Sequence, residues 1–409
     1  MTLKELLDRH DLGAYAGVFE RECVVPTDLP TITDEDLKQI FGIKTFGERK
    51  RFRAMASEVA AAPDDKATDA RPTSPPVERP SVPVAARATK RTAKKSAVAP
   101  TLAGGGLPSG PTTYKVHGPV SRYAVLVEGF LGFGRKTERR TAEVDVTFDT
   151  LVVPPRRFTM GITNRDLMPS TLQACPRHEV SLTRAFEMGV TPVTQALYEA
   201  VTGTNPSQAR EEPDAAQRPV ENVSWYDAIH FCNALSEKCG LRPAYVVGGG
   251  TRPKVAWDPD ADGFRLPTEA EWECVARAGT DELWPGVDVK GWLGGLAAYE
   301  VGWFRDNSGM STHSVALKRA NPWGFYDIHG NVWEWTWDVI GAYPDHPRVD
   351  PLSTDKDALD DKGDARPRIR RGGSHAHMTA LATTSIRGGA SPDDADSTYG
   401  FRLCRTVKQ

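Results

Sequence analysis

Apolar and polar residues alternate at helical spacing in one long segment of the chain. Trp225, Ala228, Cys232 and Leu235 would form the inner stripe of a helix. Ser224 comes directly before this stripe, and its hydroxyl can cap the first turn. The pattern therefore predicts an amphipathic helix that packs one face against a core.

Two further helices are predicted by the residues at their ends. One starts near Pro192 or Thr194 and ends before Gly203, and the other opens with the capping box of Thr268 and Glu271 and stops at Gly279. Glutamates crowd the first turns of the second helix, and we attribute them to the favourable helix dipole rather than to acid-base catalysis. They are Glu269, Glu271 and Glu273.

The rest of residues 113–409 is rich in turns and short strands. Residues 113–154 are rich in β-branched side chains with partial alternation, which predicts a β-rich lead-in to a domain over 155–409. Few other long helical patterns occur, so we expect an α+β fold with a large loop fraction. Trp333, Trp335 and Trp337 have period-two spacing, which favours rings in the core over rings that stack on sugars.

The first 112 residues divide into two segments. Leucines and aromatics in residues 1–61 are spaced for a small all-α domain of five short helices. Residues 62–112 are rich in Ala, Pro, Ser, Thr and Lys, which predicts a disordered linker. Its basic cluster at Lys90 to Lys95 could touch nucleic acid, but a solvated linker is the favoured interpretation.

Composition narrows the class of protein. The net charge of −3 gives no bias toward nucleic acid, and six dispersed cysteines without a C-x-x-C pair argue against a zinc ribbon or a disulfide framework. Charged residues interrupt the leucines of the first segment, MTLKELLDRHDL, so it lacks the apolar core of a secretory signal. We expect a cytoplasmic protein with no membrane or nucleic-acid partner.

The segments DLGAYAGVFERE, TITDEDLKQIFGI and KTFGERKRFRAM resemble a sterile alpha motif domain over residues 1–61. That family mostly associates with itself or with other proteins. The resemblance implies head-to-tail association through an acidic and a basic surface, although a solvated helix face would explain the same charges. The residues concerned are Asp34, Glu35, Asp36, Arg49, Lys50 and Arg51.

A second resemblance covers about residues 155–406. The blocks RPVENVSWYDAIHFCNALSE, GFRLPTEAEWECVARAG, NPWGFYDIHGNVWEWTWD, RRGGS and YGFRLCR resemble, in order, the formylglycine-generating enzyme or sulfatase-modifying factor family. The family has a C-type lectin-like fold. Its members include copper oxidases that convert a sulfatase cysteine to formylglycine, non-haem iron enzymes and binding proteins without catalysis, so the fold does not settle the function.

The resemblance implies a structural calcium ion. Its ligands would be the side chains at Asp327 and Glu334 and the main-chain oxygens at Gly330 and Val332, a donor set that suits a hard cation. The alternative is that Asp327 closes its own turn while Glu334 pairs with an arginine.

The resemblance also locates the catalytic cysteines of the copper enzymes, at three and eight residues after the serine of the GGS motif. Counted from Ser374, those places hold His377 and Ala382. Copper(I) prefers thiolates and alanine supplies no ligand, which argues against copper and against formylglycine generation.

An iron site is the alternative oxidoreductase hypothesis, and the sequence does not decide it. On a strand, His375 and His377 would point to one face, with Asp393, Asp394 or Asp396 as the carboxylate. Two exposed histidines in a variable loop explain the same pattern. Ser374 lacks the G-x-S-x-G context of a nucleophile, so it is only a weak catalytic candidate.

A binding surface is the favoured hypothesis for the segment between RRGGS and YGFRLCR. Its residues share no chemical theme, while its flanks match a rigid frame, as in the C-terminal variable regions of lectin-like proteins diversified by retroelements. We expect a recognition or scaffold protein in which residues 1–61 cluster heads that bind an unknown protein or small ligand. The predicted contact residues are His375, His377, Thr384, Ile386, Asp394, Asp396 and Thr398.

Overall fold

A computed structural model describes most of the chain. The described residues are 3–15, 43, 45–61, 110–127, 135–162, 176–250, 252–287, 295–353 and 366–408. The chain separates into two compact units, Met1–Thr101 and Leu102–Gln409. We call the second unit the head.

The first unit contains two described α-helices and a small apolar core. Helix α1 spans Leu3–Arg9, and helix α2 spans Phe46–Ala61 at the end of the predicted helical segment. Leu6, Leu7, Leu12, Ile43, Phe52 and Met55 are buried. Residues 16–42, which contain the predicted middle helices and the acidic residues Asp34, Glu35 and Asp36, lie outside the described residues, as does the predicted linker up to residue 109.

The head combines short helices with many short strands. Its described helices are α3 (Gln195–Thr202), α4 (Trp225–Lys238), α5 (Glu269–Arg277) and α6 (Gly295–Ala298). Its described strands are β1 (Thr112–Val127), β2 (Arg135–Val153), β3 (Arg156–Met160), β4 (His178–Leu182), β5 (Phe186–Gly189), β6 (Tyr245–Val247), β7 (Val255–Trp257), β8 (Phe264–Arg265), β9 (Gly302–Trp303), β10 (His329–Gly330), β11 (Trp333–Val339), β12 (Arg348–Val349), β13 (Arg368–Arg371), β14 (Arg387–Ala390), β15 (Tyr399–Phe401) and β16 (Cys404–Thr406).

The strands form several small mixed sheets. The largest has the order β1-β2-β5-β16-β8, and a second has the order β14-β13-β11-β15. Strands β12, β4 and β3 form a third sheet, while β9 with β10 and β6 with β7 form pairs. Strands distant in sequence are therefore neighbours, as expected for an α+β domain with long connections.

The predicted caps of α4 and α5 are confirmed at their starts, and of the two starts predicted for α3 the structure has Thr194. Thr194 caps α3 and Gly203 ends it with a left-handed backbone, while Ser224 and Thr268 each form a complete capping box at the start of α4 and α5. Helix α5 ends one residue earlier than predicted, because Ala278 itself takes the left-handed conformation before Gly279. No helix in the described part of the chain is long and apolar enough to cross a membrane.

The predicted inward position of the tryptophans on β11 is confirmed. Every residue of β11 is buried, so the strand lies inside the head on both faces. Trp335 and Trp337 join one core cluster with Trp225, the first residue of α4. Hydrophobic burial on both faces of β11 stabilises its position, and therefore that of strand β13, which pairs with it in the same sheet.

The lead-in at residues 113–154 is a long antiparallel hairpin. Strand β1 pairs with β2 from Thr112 with Thr150 to Val127 with Arg135, and β2 continues into the main sheet by pairing with β5. Helix α3 packs against the hairpin, where the buried carboxylate of Glu199 accepts hydrogen bonds from the backbone N–H of Ser121 at 2.8 Å and from its hydroxyl at 2.6 Å. The lead-in is thus part of the head.

Candidate functional site

Strand β13 is followed by the GGS motif, whose two glycines could not easily be replaced by any other residue. Gly372 and Gly373 both have positive φ angles, 93° and 74°. A Cβ atom on Gly372 would lie 2.8 Å from the carbonyl oxygen of Ile328, and one on Gly373 would lie 2.5 Å from the Cβ of Ala382. Glycine is the residue that tolerates both conditions, so the chain turns sharply here and carries Ser374 into the interior.

The two histidines that follow lie in a turn rather than on a strand. The N–H of His377 donates to the carbonyl of Ser374 at 3.0 Å, which closes this turn. The prediction that His375 and His377 share one face of a strand is therefore wrong. It assumed the extended backbone that the preceding strand β13 has already left at Arg371.

His375 is buried and its ring is already bonded. Its Nδ1 lies 2.9 Å from the carbonyl oxygen of Asn331, and because a carbonyl only accepts, this nitrogen carries the hydrogen. Burial lowers the pKa of His375 below its usual value. The ring is a structural group of the loop rather than an exposed ligand.

His377 uses the same ring nitrogen in the opposite role. Its Nδ1 lies 2.6 Å from the hydroxyl oxygen of Ser374 and 3.3 Å from the indole nitrogen of Trp333. An indole N–H only donates, so Nδ1 of His377 accepts and the hydrogen of the neutral ring is on Nε2. Burial, followed by the positive charge of Arg370, lowers the pKa of His377, which keeps the ring neutral near pH 7.

The pair of Ser374 and His377 has the geometry of a nucleophile and a base, but its serine is fully buried. A substrate at the surface cannot reach that hydroxyl. The Ser374 hydroxyl also accepts the N–H of Ala376 at 3.2 Å, so it holds the turn together. The weak catalytic assignment of Ser374 gains no support from this position.

Ala382 is fully buried among apolar side chains. Its cluster contains Trp284, Val301 and Phe304, and its carbonyl accepts a hydrogen bond from His329 at 2.7 Å. Among the described cysteines, Cys232, Cys239, Cys274 and Cys404 are all free, and burial raises the pKa of each thiol. A methyl group occupies the second cysteine place, and the described thiols lie elsewhere in sequence and resist ionisation.

The predicted contact residues divide into buried and exposed groups. Thr384, Ile386 and Thr398 are buried, so the prediction that they face a ligand is wrong. For Thr384 and Ile386 the physical reason is Arg371, whose buried guanidinium donates to the carbonyls of residues 384, 385 and 386 and pairs with Glu273. Residues 384–386 therefore belong to the buried scaffold of the head and not to its contact surface.

The exposed part of the segment is residues 393–396, within the turn that runs from 391 to 397. Asp394 and Asp396 are exposed, and their carboxylates accept the N–H groups of Ser391 and Thr398 at 3.0 and 2.9 Å. The negative charge of Asp396 acts on His377, so the turn and the histidine lie in one neighbourhood. These residues form the accessible remainder of the predicted binding surface.

Aromatic and cationic groups complete that neighbourhood. The guanidinium of Arg370 lies 3.9 Å from the ring centroid of Tyr399 and 5.3 Å from that of Trp333. The N–H of Arg305 donates to the carbonyl of His377 at 3.0 Å. The neighbourhood of His377 therefore combines a buried tryptophan, the half-buried Tyr399 and Arg370, and the exposed Arg305.

Sequence reasoning missed the partners of the α5 glutamates. Glu269 accepts from Arg387 at 2.6 and 2.9 Å, Glu271 accepts from Arg265 at 2.7 Å, and Glu273 pairs with Arg371. All three glutamates are buried. The attribution of these charges to the helix dipole was therefore incomplete, because a buried carboxylate needs a direct cationic partner. The arginines of RRGGS were the signal that could have revealed the Glu273 pair.

Hydrogen-bond donors of the protein surround Asp327 and Glu334, the two carboxylates of the predicted calcium site. Asp327 accepts the N–H of Ala316 at 2.7 Å and the side-chain amide of Asn331 at 3.2 Å. Glu334 accepts from Arg402 at 2.8 Å and from the indole of Trp272 at 2.7 Å. Both oxygens of each carboxylate thus already accept hydrogen bonds.

Charge compensation at this place comes from the protein itself. Arg402 and Glu334 are both fully buried and form an ion pair, and the positive charge of Arg402 also acts on Asp327. A calcium ion beside a buried guanidinium would meet repulsion instead of a free carboxylate. The donor set therefore does not fit calcium, and Glu334 follows the alternative in which it pairs with an arginine.

The two main-chain positions of the predicted calcium site have structural roles. Gly330 has a φ of 74°, and a Cβ atom there would lie 2.1 Å from the carbonyl oxygen of Trp303. Val332 is buried. Within the described ranges, no group of three or more histidine, cysteine, aspartate or glutamate side chains could hold a metal ion.

The fold and the GGS frame define the class of the head as a C-type lectin-like domain of the formylglycine-generating type. The sequence model of the sulfatase-modifying factor enzyme 1-like domain matches residues 135–407, and the chain belongs to this family. The match begins inside the hairpin, earlier than the predicted start at residue 155.

Individual relatives agree with this assignment. The chain is 30% identical over 250 residues to the chaperone protein LppX of Paenibacillus barcinonensis, covering 54% of this chain and 80% of that protein. It is 33% identical over 286 residues to the formylglycine-generating enzyme of Streptomyces coelicolor, covering 61% of this chain and 87% of that enzyme. The solved structure of Treponema denticola variable protein 1 has a TM-score of 0.56 and 34% identity, covering 64% of this chain and 96% of that one.

Proposed function

We propose that the head is a non-catalytic recognition module. The observation that carries the proposal is the chemistry at the two cysteine places, where His377 holds a turn with Ser374 and Ala382 is buried in an apolar cluster. Oxygen activation by copper(I) needs soft thiolate ligands, and neither residue supplies sulfur.

The contact surface of this module is the neighbourhood of His377 and the exposed turn with Asp394 and Asp396. Arg370, stacked on Tyr399, supplies a cation beside an aromatic ring. Rigid aromatic groups and arginines are enriched at protein interfaces, which supports a protein or small-ligand partner. The relatives named a chaperone and a variable protein are consistent with roles other than oxidation.

We further propose that residues 1–61 cluster the heads by self-association or by binding another protein. The support is the resemblance to a sterile alpha motif domain and the position of Lys50 and Arg51, which are exposed on helix α2. Arg49, in contrast, turns back and donates to the carbonyl of Ile43 at 3.4 Å. Clustering raises the avidity of each head without a new contact.

The alternative function is an oxidoreductase of the formylglycine-generating or non-haem iron type, and one experiment separates it from recognition. The purified full-length protein is analysed for copper, iron and calcium, and is incubated with oxygen and a peptide that carries a sulfatase cysteine. We expect no stoichiometric metal and no aldehyde product in the mass spectrum.

The matched variant is the double substitution His377→Cys and Ala382→Cys, which restores both thiols within the same frame. We expect this variant to bind copper(I), which would show that the frame accepts the metal once sulfur is present. Oxygen-dependent conversion of the peptide by the wild-type chain, or stoichiometric iron or copper bound to it, would contradict the proposal.

A further inference from the structure

A cavity lies in the head away from the GGS motif, and none of Ser374, His375 and His377 lines it. It has a volume of about 240 Å³ and is bounded by the start of helix α5, the end of strand β11 and the loop that follows β11. Buried Asp338 is part of its wall. We call it the Asp338 cavity.

The interior charges of the Asp338 cavity are already held in place. Asp338 accepts the N–H of Glu269 at 2.7 Å and the N–H of Ser353 at 2.9 Å. Glu269 in turn pairs with Arg387 and accepts the hydroxyl of Tyr343 at 3.0 Å. A network satisfied in this way gives the cavity rigid polar walls.

Two arginines that line the cavity have no such partner. Arg348 is exposed on strand β12 and Arg366 is half-buried, and neither forms an ion pair or hydrogen bond with any described residue. An unpaired guanidinium is a fork of N–H donors that matches a carboxylate or a phosphate. The cavity lining therefore offers two cationic groups to a ligand.

A buried histidine adds a further polar group to the lining. His178 is buried, its ring packs edge-on against Tyr343 at 4.9 Å between centroids, and its Nδ1 lies 3.2 Å from the carbonyl oxygen of Pro176. That carbonyl fixes the hydrogen on Nδ1, so Nε2 of the neutral ring is a hydrogen-bond acceptor. Among the described residues, no partner for Nε2 is present, and the residue lines the cavity.

We propose that the Asp338 cavity binds a small oxyanion that also carries a hydroxyl group. Arg348 and Arg366 would hold its carboxylate or phosphate, and Nε2 of His178 would accept its hydroxyl. The cavity is large enough for a ligand of roughly ten to fifteen heavy atoms. This function is independent of the recognition surface at His377.

The test is calorimetric titration of the full-length protein with three probes: citrate, tricarballylate, which is citrate without its hydroxyl, and inorganic phosphate. We expect saturable binding of citrate and weaker binding of tricarballylate. The double substitution Arg348→Gln and Arg366→Gln should weaken citrate binding at least about tenfold, because it removes two charge-assisted contacts. His178→Phe should abolish the preference for citrate over tricarballylate.

The matched control is Arg184→Gln with Arg242→Gln, which removes the same charge from exposed arginines paired with Asp260 and Asp258. Citrate affinity should be unchanged in the control. Equal losses of citrate affinity in both double variants would show that the effect comes from overall charge, and this would overturn the proposal. The absence of saturable binding of any probe would overturn it too. Tighter binding of phosphate than of citrate would identify a phosphate-bearing ligand, whereas the reverse order would identify a hydroxy acid.

Discussion

Glu221 is a buried carboxylate with one unsatisfied oxygen. Its Oε1 accepts the N–H of Ala209 at 3.0 Å, whereas Oε2 has no hydrogen-bond partner among the described residues. Burial raises the pKa of Glu221 to about 7, with a smaller contribution from the negative charge of Asp396. The residue therefore takes up a proton on folding in mildly acidic solution.

This raised pKa predicts a specific pH dependence of stability. In the unfolded chain Glu221 ionises near its ordinary value, but in the folded head it resists ionisation up to about pH 7. The contribution of Glu221 to the free energy of unfolding should therefore fall as pH rises between these two values, by roughly 3 kcal/mol, and level off above them. Glu221→Gln should remove this fall, as measured by urea unfolding at about pH 5 and about pH 8.

The control for this prediction is Glu237→Gln, which changes an exposed glutamate of helix α4. It should keep the pH dependence of the wild-type protein. If Glu221→Gln lost the same stability between the two pH values as the wild-type protein does, the dependence would belong to other groups.

Features of the site that depend on a count along the sequence could be predicted, whereas features that depend on contacts between distant residues could not. His377 and Ala382 could be read from the sequence because the GGS motif fixes the count. The burial of Thr384 and Ile386 could not, because it depends on Arg371 reaching across to their carbonyls from another strand. Short-range patterns carry no information about such long-range contacts.

The β1–β2 hairpin shows how one residue can control the docking of an element. Gly118 on β1 passes so close to helix α3 that a Cβ atom would lie 2.0 Å from the carbonyl oxygen of Ala200. Backbone on both sides of this contact leaves no flexible side chain to move aside. The close approach also brings Ser121 to Glu199.

Gly118→Ala should therefore destabilise the head. We expect a loss of roughly 1–3 kcal/mol in the free energy of unfolding, typical of overpacking. Gly110→Ala is the matched control, because nothing lies within 4 Å of a Cβ atom at that position. Urea unfolding of both variants checks this, and equal stability of the two would show that the hairpin does not pack tightly on α3.

The elements themselves were predictable to different degrees. Helices α3, α4 and α5 could be located because their caps are local in sequence. The β-rich character of residues 113–154 was also visible, but the pairing of Thr150 with Gly189 in the main sheet was not. Strand register depends on partners far along the chain, which a single sequence does not reveal.

At the scale of the whole molecule, the proposed clustering through residues 1–61 can be tested by charge reversal. Lys50→Glu with Arg51→Glu should weaken self-association at least about tenfold, because like charges would then face the predicted acidic partner surface. Light scattering over a range of protein concentrations measures this.

The control reverses two charges in the predicted linker, Lys94→Glu and Lys95→Glu, and should leave the association unchanged. A wild-type protein that remains monomeric at high concentration would contradict self-association and leave binding to a different protein as the role of this unit. The fold of the head was identifiable from its motifs, whereas the helical fold of residues 16–42 stays a prediction.

The arginine–glutamate pairs impose an order on how the head can be made. Arg371, Arg387 and Arg402 pair with glutamates that precede them by between 68 and 118 residues. Until residues 371–402 have left the ribosome, Glu269 and Glu334 lack the cationic partners that they have in the folded head, and Glu273 has only Arg277. The head must therefore complete its core late in synthesis, and contacts this distant in sequence make its folding slow compared with that of a small helical domain.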